Sequence, residues 1–285
     1  MRRWAILAAA MLMATPALAW DTNTHKVIGV IAYRHLTLQA RTWCDRILAS
    51  NPRGYRDFLN AAPYPDYLKH GPPKDKPRIK LMRRFNGWHF IDYPIRINQS
   101  TAFPYDTSVE KNGNNALFGI SESVRQVTSG PADTRGLYLS MILHVVGDVH
   151  QPLHCAEREG DKGGNDVALR GALQNLHSLW DGAITAKYRL KGKNRATDAR
   201  IETVAQEVEA AFPLDSMREE VAELDPHAWA EESYALAVDS AYDGLTPQTK
   251  PTPAYQQRWT AVAERRVALA GYRLAGFLNR LAARG

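Results

Sequence analysis

Cysteine is nearly missing from this chain: Cys44 and Cys155 are the only two in 285 residues. With no Cys-x-x-Cys pair, a zinc site built on cysteines is not expected. No interior stretch approaches the roughly 18–20 uninterrupted apolar residues of a membrane span, so an integral membrane protein is not expected. Internal repeats and low-complexity tracts are absent. Alternating strand patterns are scarce, a short one at Val167–Leu169 excepted. What remains is 45% apolar and 23% charged residues, a globular composition. The net charge of +6 tilts the choice of partner toward a polyanion without specifying one.

The start of the chain has its own pattern. Arg2 and Arg3 precede an apolar run from Trp4 to Met13, and Ala17-Leu18-Ala19 closes it. A positive start, an apolar middle and an Ala-x-Ala end describe a secretory signal peptide over residues 1–19, cut after Ala19. Removing 19 of 285 residues leaves 266, and loss of the two arginines lowers the charge from +6 to +4. The exported product, periplasmic or secreted, would then begin at Trp20 with a free α-amino group. In an oxidising compartment Cys44 and Cys155 either form one disulfide, the favoured state, or stay as two buried thiols.

Residues 20–285 read as one all-α domain with little or no β-structure. Helical spacing of apolar residues runs over about Thr24–Leu38, Thr134–His150 and Leu173–Tyr188. Asp225-Pro226 and Thr252-Pro253 each place a capping residue before a proline suited to the first helical turn, opening two further helices. Between Pro63 and Arg84, five prolines with Lys74, Lys76, Arg78, Lys80, Arg83 and Arg84 predict a basic loop, of a kind that tracks a phosphate backbone or merely faces solvent.

Histidines and acids cluster along the helices. His144 and Asp148 are four residues apart, and so are His177 and Asp181, so each pair projects from one helical face. His154 follows just beyond Pro152, and Asp66, His89 and His25 lie upstream. Imidazole and carboxylate together suit zinc, and two such pairs on separate helices can build one cluster in a bundle core. Donor counting suggests a grouping: Asp66, His89, His144 and Asp148 around one metal, and His154, His177 and Asp181 around a second. His25 needs companions, and the nearest unused ligand is the new N-terminus, where the α-amine and carbonyl oxygen of Trp20 form a five-membered chelate. His35, His70, His150 and His227 are left to ordinary packing or surface roles.

These residues carry a resemblance. Trp20 with His25, Trp88-His89-Phe90-Ile91-Asp92, the run from His144 to His154, Gly163-Gly164-Asn165, His177-Ser178-Leu179-Trp180-Asp181 and Gly271-Tyr272-Arg273-Leu274-Ala275 are similar to the type I nucleases. These are zinc-dependent, single-strand-specific nucleases and 3′-nucleotidases of fungi and plants, with bacterial relatives, in one superfamily with the zinc-dependent phospholipases C. The resemblance implies three zinc ions grouped as above, with Asp148 bridging the first and third. It implies hydrolysis of single-stranded DNA or RNA to 5′-phosphates and of 3′-mononucleotides. Zinc would generate the nucleophile and steady the leaving 3′ oxygen, Asp66 would orient the attacking group, and Lys69 would offset negative charge near the phosphate. Phe90, Asp92 and Asn165 match a base pocket, which a base reaches only when unstacked, hence a single-strand preference. The interval from Asp66 to His89 is longer than in compact members.

Two alternatives stand beside this reading. One is a phospholipase C on the same metal frame, against which the short Trp20-to-His25 interval and Asp rather than Glu at Asp181 both count. The other is an exported zinc-binding protein without catalysis, which needs neither an open coordination position nor Lys69.

Overall fold

Helix α7, Ala132–Asp148, is apolar on nearly every side, and such a helix must lie inside. In the computed structural model, which describes residues 20–51, 55–70, 75–95, 106–170, 175–190 and 197–284, α7 is buried from Tyr138 to its last residue. Before it come α1 (Thr22–Arg34), α2 (Leu38–Ala49), α3 (Phe58–Ala61), α4 (Tyr64–His70), α5 (Lys76–Phe85) and α6 (Ala116–Ser129). After it come α8 (Leu176–Asp181), α9 (Ala183–Lys187), α10 (Asp198–Ala211), α11 (Arg218–Ala222), α12 (Pro226–Leu236) and α13 (Pro253–Ala282). Helix α7 packs on α6 and α2, while α1 lies between α10 and the 30-residue α13. Short polar side chains start these helices: Asp21, Thr37, Asn115, Asn175, Thr197, Asp225 and Thr252 each accept from a backbone N–H of the first turn.

The all-α expectation holds. Two three-residue strands, β1 (Tyr93–Ile95) and β2 (Ala156–Arg158), pair in parallel, Tyr93 opposite Ala156. Val167–Leu169 makes no strand, only an isolated bridge from Ala168 to Asn175. The helix expected through Leu173–Tyr188 is two, α8 and α9, broken at Gly182. Most of the expected basic loop is helical: α4 and α5 occupy it. Pro65 and Pro77 sit in first turns, where a missing N–H costs nothing, and Asp75 caps α5.

The disulfide favoured from sequence is not formed. Cys44 and Cys155 are both free and buried. Cys44 shares the buried face of α2 with Ala40, Ile47 and Leu48, and the Cys155 thiol donates to the Val149 carbonyl at 3.4 Å. Both act as small apolar side chains, and burial pushes the Cys44 thiol up to about 12. The signal peptide at residues 1–19, the Asn98-Gln99-Ser100 triplet, and Pro72, Pro73 and Lys74 of the basic segment lie outside the described residues.

Candidate metal centre

The donors come from across the chain to the C-terminal end of α7. His144 and Asp148 face inward one turn apart on that helix. His25 comes from α1, Asp66 from α4, His89 from the 3-10 turn Asn86–His89, and His154 from the turn Pro152–His154. His177 and Asp181 come from α8. Two hydrogen bonds lock a pair of these turns together: Ile91 N–H donates to the His154 carbonyl at 2.7 Å, and His154 Nδ1 donates back to the His89 carbonyl at 2.7 Å.

Three groups result: His25, His144 and Asp148; Asp66, His89 and His144; His154, His177 and Asp181, each with its donor atoms within 4.8 Å of one another. In the first two, His144 Nδ1 donates to the Ala62 carbonyl at 2.9 Å, which leaves Nε2 as a lone pair. That lone pair lies 3.3 Å from Asp148 Oδ2, 3.6 Å from Asp66 Oδ1 and 3.0 Å from His89 Nδ1. Asp148 divides its oxygens, Oδ2 toward His89 at 3.0 Å and Oδ1 toward His25 Nε2 at 3.3 Å. The expected set Asp66, His89, His144 and Asp148 is therefore together, with Asp148 reaching His25.

The third group gives the clearest test of fit. His154 Nδ1 donates to His89 and His177 Nδ1 to the Gly163 carbonyl at 2.6 Å, so both neutral rings turn a lone pair inward. The two Nε2 atoms face each other at 3.2 Å, with Asp181 Oδ2 3.4 Å from His177 Nε2. Two acceptors and a carboxylate so placed suit a cation between them. Both ring nitrogens of His25, both oxygens of Asp66, Asp148 Oδ1 and Asp181 Oδ2 are buried with no hydrogen-bond partner. Donors bound to tetrahedral zinc at about 2.0–2.2 Å stand roughly 3.3 Å apart, close to the spacings found here.

Electrostatics agree. Burial lowers His25 to about 4 and holds His89, His144, His154 and His177 below the ordinary imidazole value, so all five are neutral, the ligating form. Burial also raises Asp148, and raises Asp181 to about 7, because the enclosed carboxylates lack enough positive charge.

Trp20 contributes no side-chain donor. Its indole is fully buried and donates to the Gly147 carbonyl at 3.0 Å, while Asp21 N–H donates to the Asp181 carbonyl at 3.2 Å. The backbone of residue 20 is thereby tied between two donor-bearing segments. Sequence reasoning missed several supports. Gln151 Nε2 donates to Asp181 Oδ1 at 2.7 Å and orients that carboxylate. Gly163, at φ +61°, offers its carbonyl to His177 where any Cβ would strike the Leu153 carbonyl. Position gave a hint for Gln151, which lies between Asp148 and His154.

A cleft of about 260 Å³ opens beside the donors, lined by Lys69, Phe90, Asp92 and Asn165 together with His89, His154 and His177. Asn86 and Lys162, which sequence did not single out, line it too. Lys69 Nζ stands 3.5 Å from Asp66 Oδ1. Phe90 is 36% exposed, enough to offer a ring face. Asp92 is raised to about 7 by burial and by the charges of Glu157 and Asp161. The Asn165 amide donates to the Lys162 carbonyl at 2.7 Å.

The S1/P1 Nuclease family model matches residues 20–283. Nuclease S1 of Aspergillus oryzae (strain ATCC 42149 / RIB 40) is 26% identical over 97% of this chain and 96% of its own length. Endonuclease 4 of Arabidopsis thaliana is 28% identical over 93% and 90%, and Nuclease P1 of Penicillium citrinum 24% over 92% and 97%. A match that starts at the buried Trp20 and runs through the whole of α13 covers every donor described above. The chain belongs to the S1/P1 nuclease family, hydrolases of phosphodiester bonds in nucleic acid.

Proposed function

We propose that this chain is exported, trimmed to begin at Trp20, and binds three zinc ions to hydrolyse single-stranded DNA and RNA to 5′-phosphates and 3′-mononucleotides to nucleosides. The observation that carries this reading is the convergence of three buried His and Asp groups, six of whose polar atoms have no hydrogen-bond partner, beside a cleft with an exposed ring. Asp66, His89, His144 and Asp148 would hold one ion. His154, His177 and Asp181 would hold the second. His25, Asp148 and the freed amine and carbonyl of Trp20 would hold the third. When bound, zinc supplies a Lewis acid that generates a nucleophile and a clamp for phosphoryl charge.

The protein's own groups do the rest. Asp66 keeps an oxygen free to orient the attacking group and accept its proton. Lys69 brings a fixed positive charge to the cleft, where it opposes charge growing on phosphorus-bound oxygens. Phe90 stacks on an unpaired base, and Asp92 and Asn165 read its polar edge. A duplex keeps its base faces covered, so the ring selects single strands. The start of the family match at residue 20 supports the proposed cut after Ala19.

The test is turnover and metal content of protein beginning at Trp20. Near three zincs per chain, with hydrolysis of single-stranded DNA, RNA and 3′-AMP, is the expected result. Bound zinc without hydrolysis would instead identify a zinc carrier, and phosphocholine release from phosphatidylcholine a phospholipase C.

A further inference from the structure

Helix α4 presents two chemistries. Asp66 and Lys69 face the donors and the cleft, whereas Tyr64, Tyr67 and Leu68 lie on the opposite side. There they line a groove of about 520 Å³ with Tyr55, Arg78 and Leu81. The three tyrosines form one aromatic cluster. Tyr55 and Tyr64 have centroids 5.0 Å apart, and Tyr64 and Tyr67 stack at 6.2 Å with planes 20° apart. Tyr67 is nevertheless 46% exposed. Packing has not consumed its ring face.

The groove's far wall is α5, whose ten residues include Lys76, Arg78, Lys80, Arg83 and Arg84 and no acid. Arg78 is buried and donates to the Leu68 carbonyl, fixing α5 to α4. Lys76, Lys80, Arg83 and Arg84 are exposed. Asp75, the cap of α5, also lines the groove, and Glu122 lies 4.0 Å from Arg84. Positions 76, 80 and 84 repeat every four residues, about 6 Å of rise, along one side of the helix. Exposed cations on α5 and an exposed aromatic ring on α4 are the two kinds of side chain that a single-strand binding surface combines.

We propose that α4 and α5 form a second binding track for a polynucleotide strand, with Tyr67 as a base-stacking platform and Lys80 and Arg83 on the phosphates. It rests on the nuclease reading and extends it to longer substrates. The body of α4, about 10 Å across, separates track from cleft. A strand of many nucleotides spans both, and a mononucleotide or dinucleotide occupies the cleft alone.

The experiment uses the zinc-loaded protein and two readouts. Binding is followed by fluorescence anisotropy with a labelled 20-mer oligothymidylate carrying 3′-methylene phosphonate linkages, which keep the charge but lack the P–O bond that is cut. Cleavage is followed as kcat/KM on ordinary dT20 and on the dinucleotide TpT. Tyr67→Ala should weaken binding and lower kcat/KM on dT20 by about tenfold, with TpT unchanged. Tyr67→Phe should retain wild-type values. Lys80→Gln with Arg83→Gln should flatten the salt dependence of binding by about 1.4 in log–log slope. Unchanged 20-mer binding in both sets overturns the track, and so does a loss on TpT equal to that on dT20. A wild type that cleaves neither substrate yet shows the binding effects would sink the nuclease reading and leave the track standing.

Discussion

Two buried histidines, His144 and His150, lie six residues apart, and their surroundings are opposite in kind. His150 belongs to a closed network. Its Nδ1 donates to the Val146 carbonyl at 2.7 Å, and its Nε2 accepts from Arg273 at 3.2 Å. Arg266 donates to the His150 carbonyl, Ser233 and Glu232, and Arg273 grips Glu232 with two nitrogens at 2.6 and 2.7 Å. Burial opposes ionisation of Glu232, but the hydrogen bonds and charge of Arg273 and Arg266 prevail and hold it below the usual carboxylate range. Around His144, six buried atoms of His25, Asp66, Asp148 and Asp181 have no hydrogen-bond partner. Residue type and burial are alike in the two places. Hydrogen-bond satisfaction separates a region that holds the fold from one built to take up something else.

Substitutions can break this contrast, taken in order of their effect on turnover. His144→Ala removes a donor common to two groups, and hydrolysis of single-stranded DNA should fall at least about a thousandfold. A loss under tenfold would mean that unpaired acceptors do not mark the working region. In protein prepared to begin at Trp20, adding Gly-Ser ahead of it turns the α-amine into an amide. Elemental analysis should then find one zinc fewer per chain, with turnover down about a hundredfold. Gln151→Ala frees Asp181 Oδ1 and should weaken one ion's binding about tenfold, read by titration against a competing chelator.

Glu232→Gln probes the other side. It leaves two buried guanidinium groups without their carboxylate and should cost about 3 kcal/mol in chemical denaturation, with turnover of the folded enzyme within about twofold. That figure sits at the low end because the Glu232 side chain is itself 37% exposed. Since the folded pKa of Glu232 lies below the ordinary 4.5, its contribution is complete above pH 4.5 and lost as pH falls through the folded value. The gap between wild type and variant should therefore narrow in acid below pH 4.5. A constant gap would show that charge is not what Glu232 provides.

Where helix periodicity carried the information, the sequence was readable. His144 with Asp148 and His177 with Asp181 meet because four residues make one turn, and both pairs sit where that rule puts them. Asp225 and Thr252 announced α12 and α13 through capping chemistry. The segment from Pro63 to Arg84 misled, since its prolines and basic residues point to a loop, whereas Pro65 and Pro77 lie in the first turns of helices. Strands of three residues, such as β1 and β2, are too short to show a period. The groups that aim the donors, the carbonyls of Ala62, His89 and Gly163, are backbone atoms, which no residue identity reveals.

The bond from the Trp20 indole to Gly147 spans 127 residues, and the remaining donors extend to Asp181. A polypeptide still growing on the ribosome lacks a full donor set until most of its message has been translated.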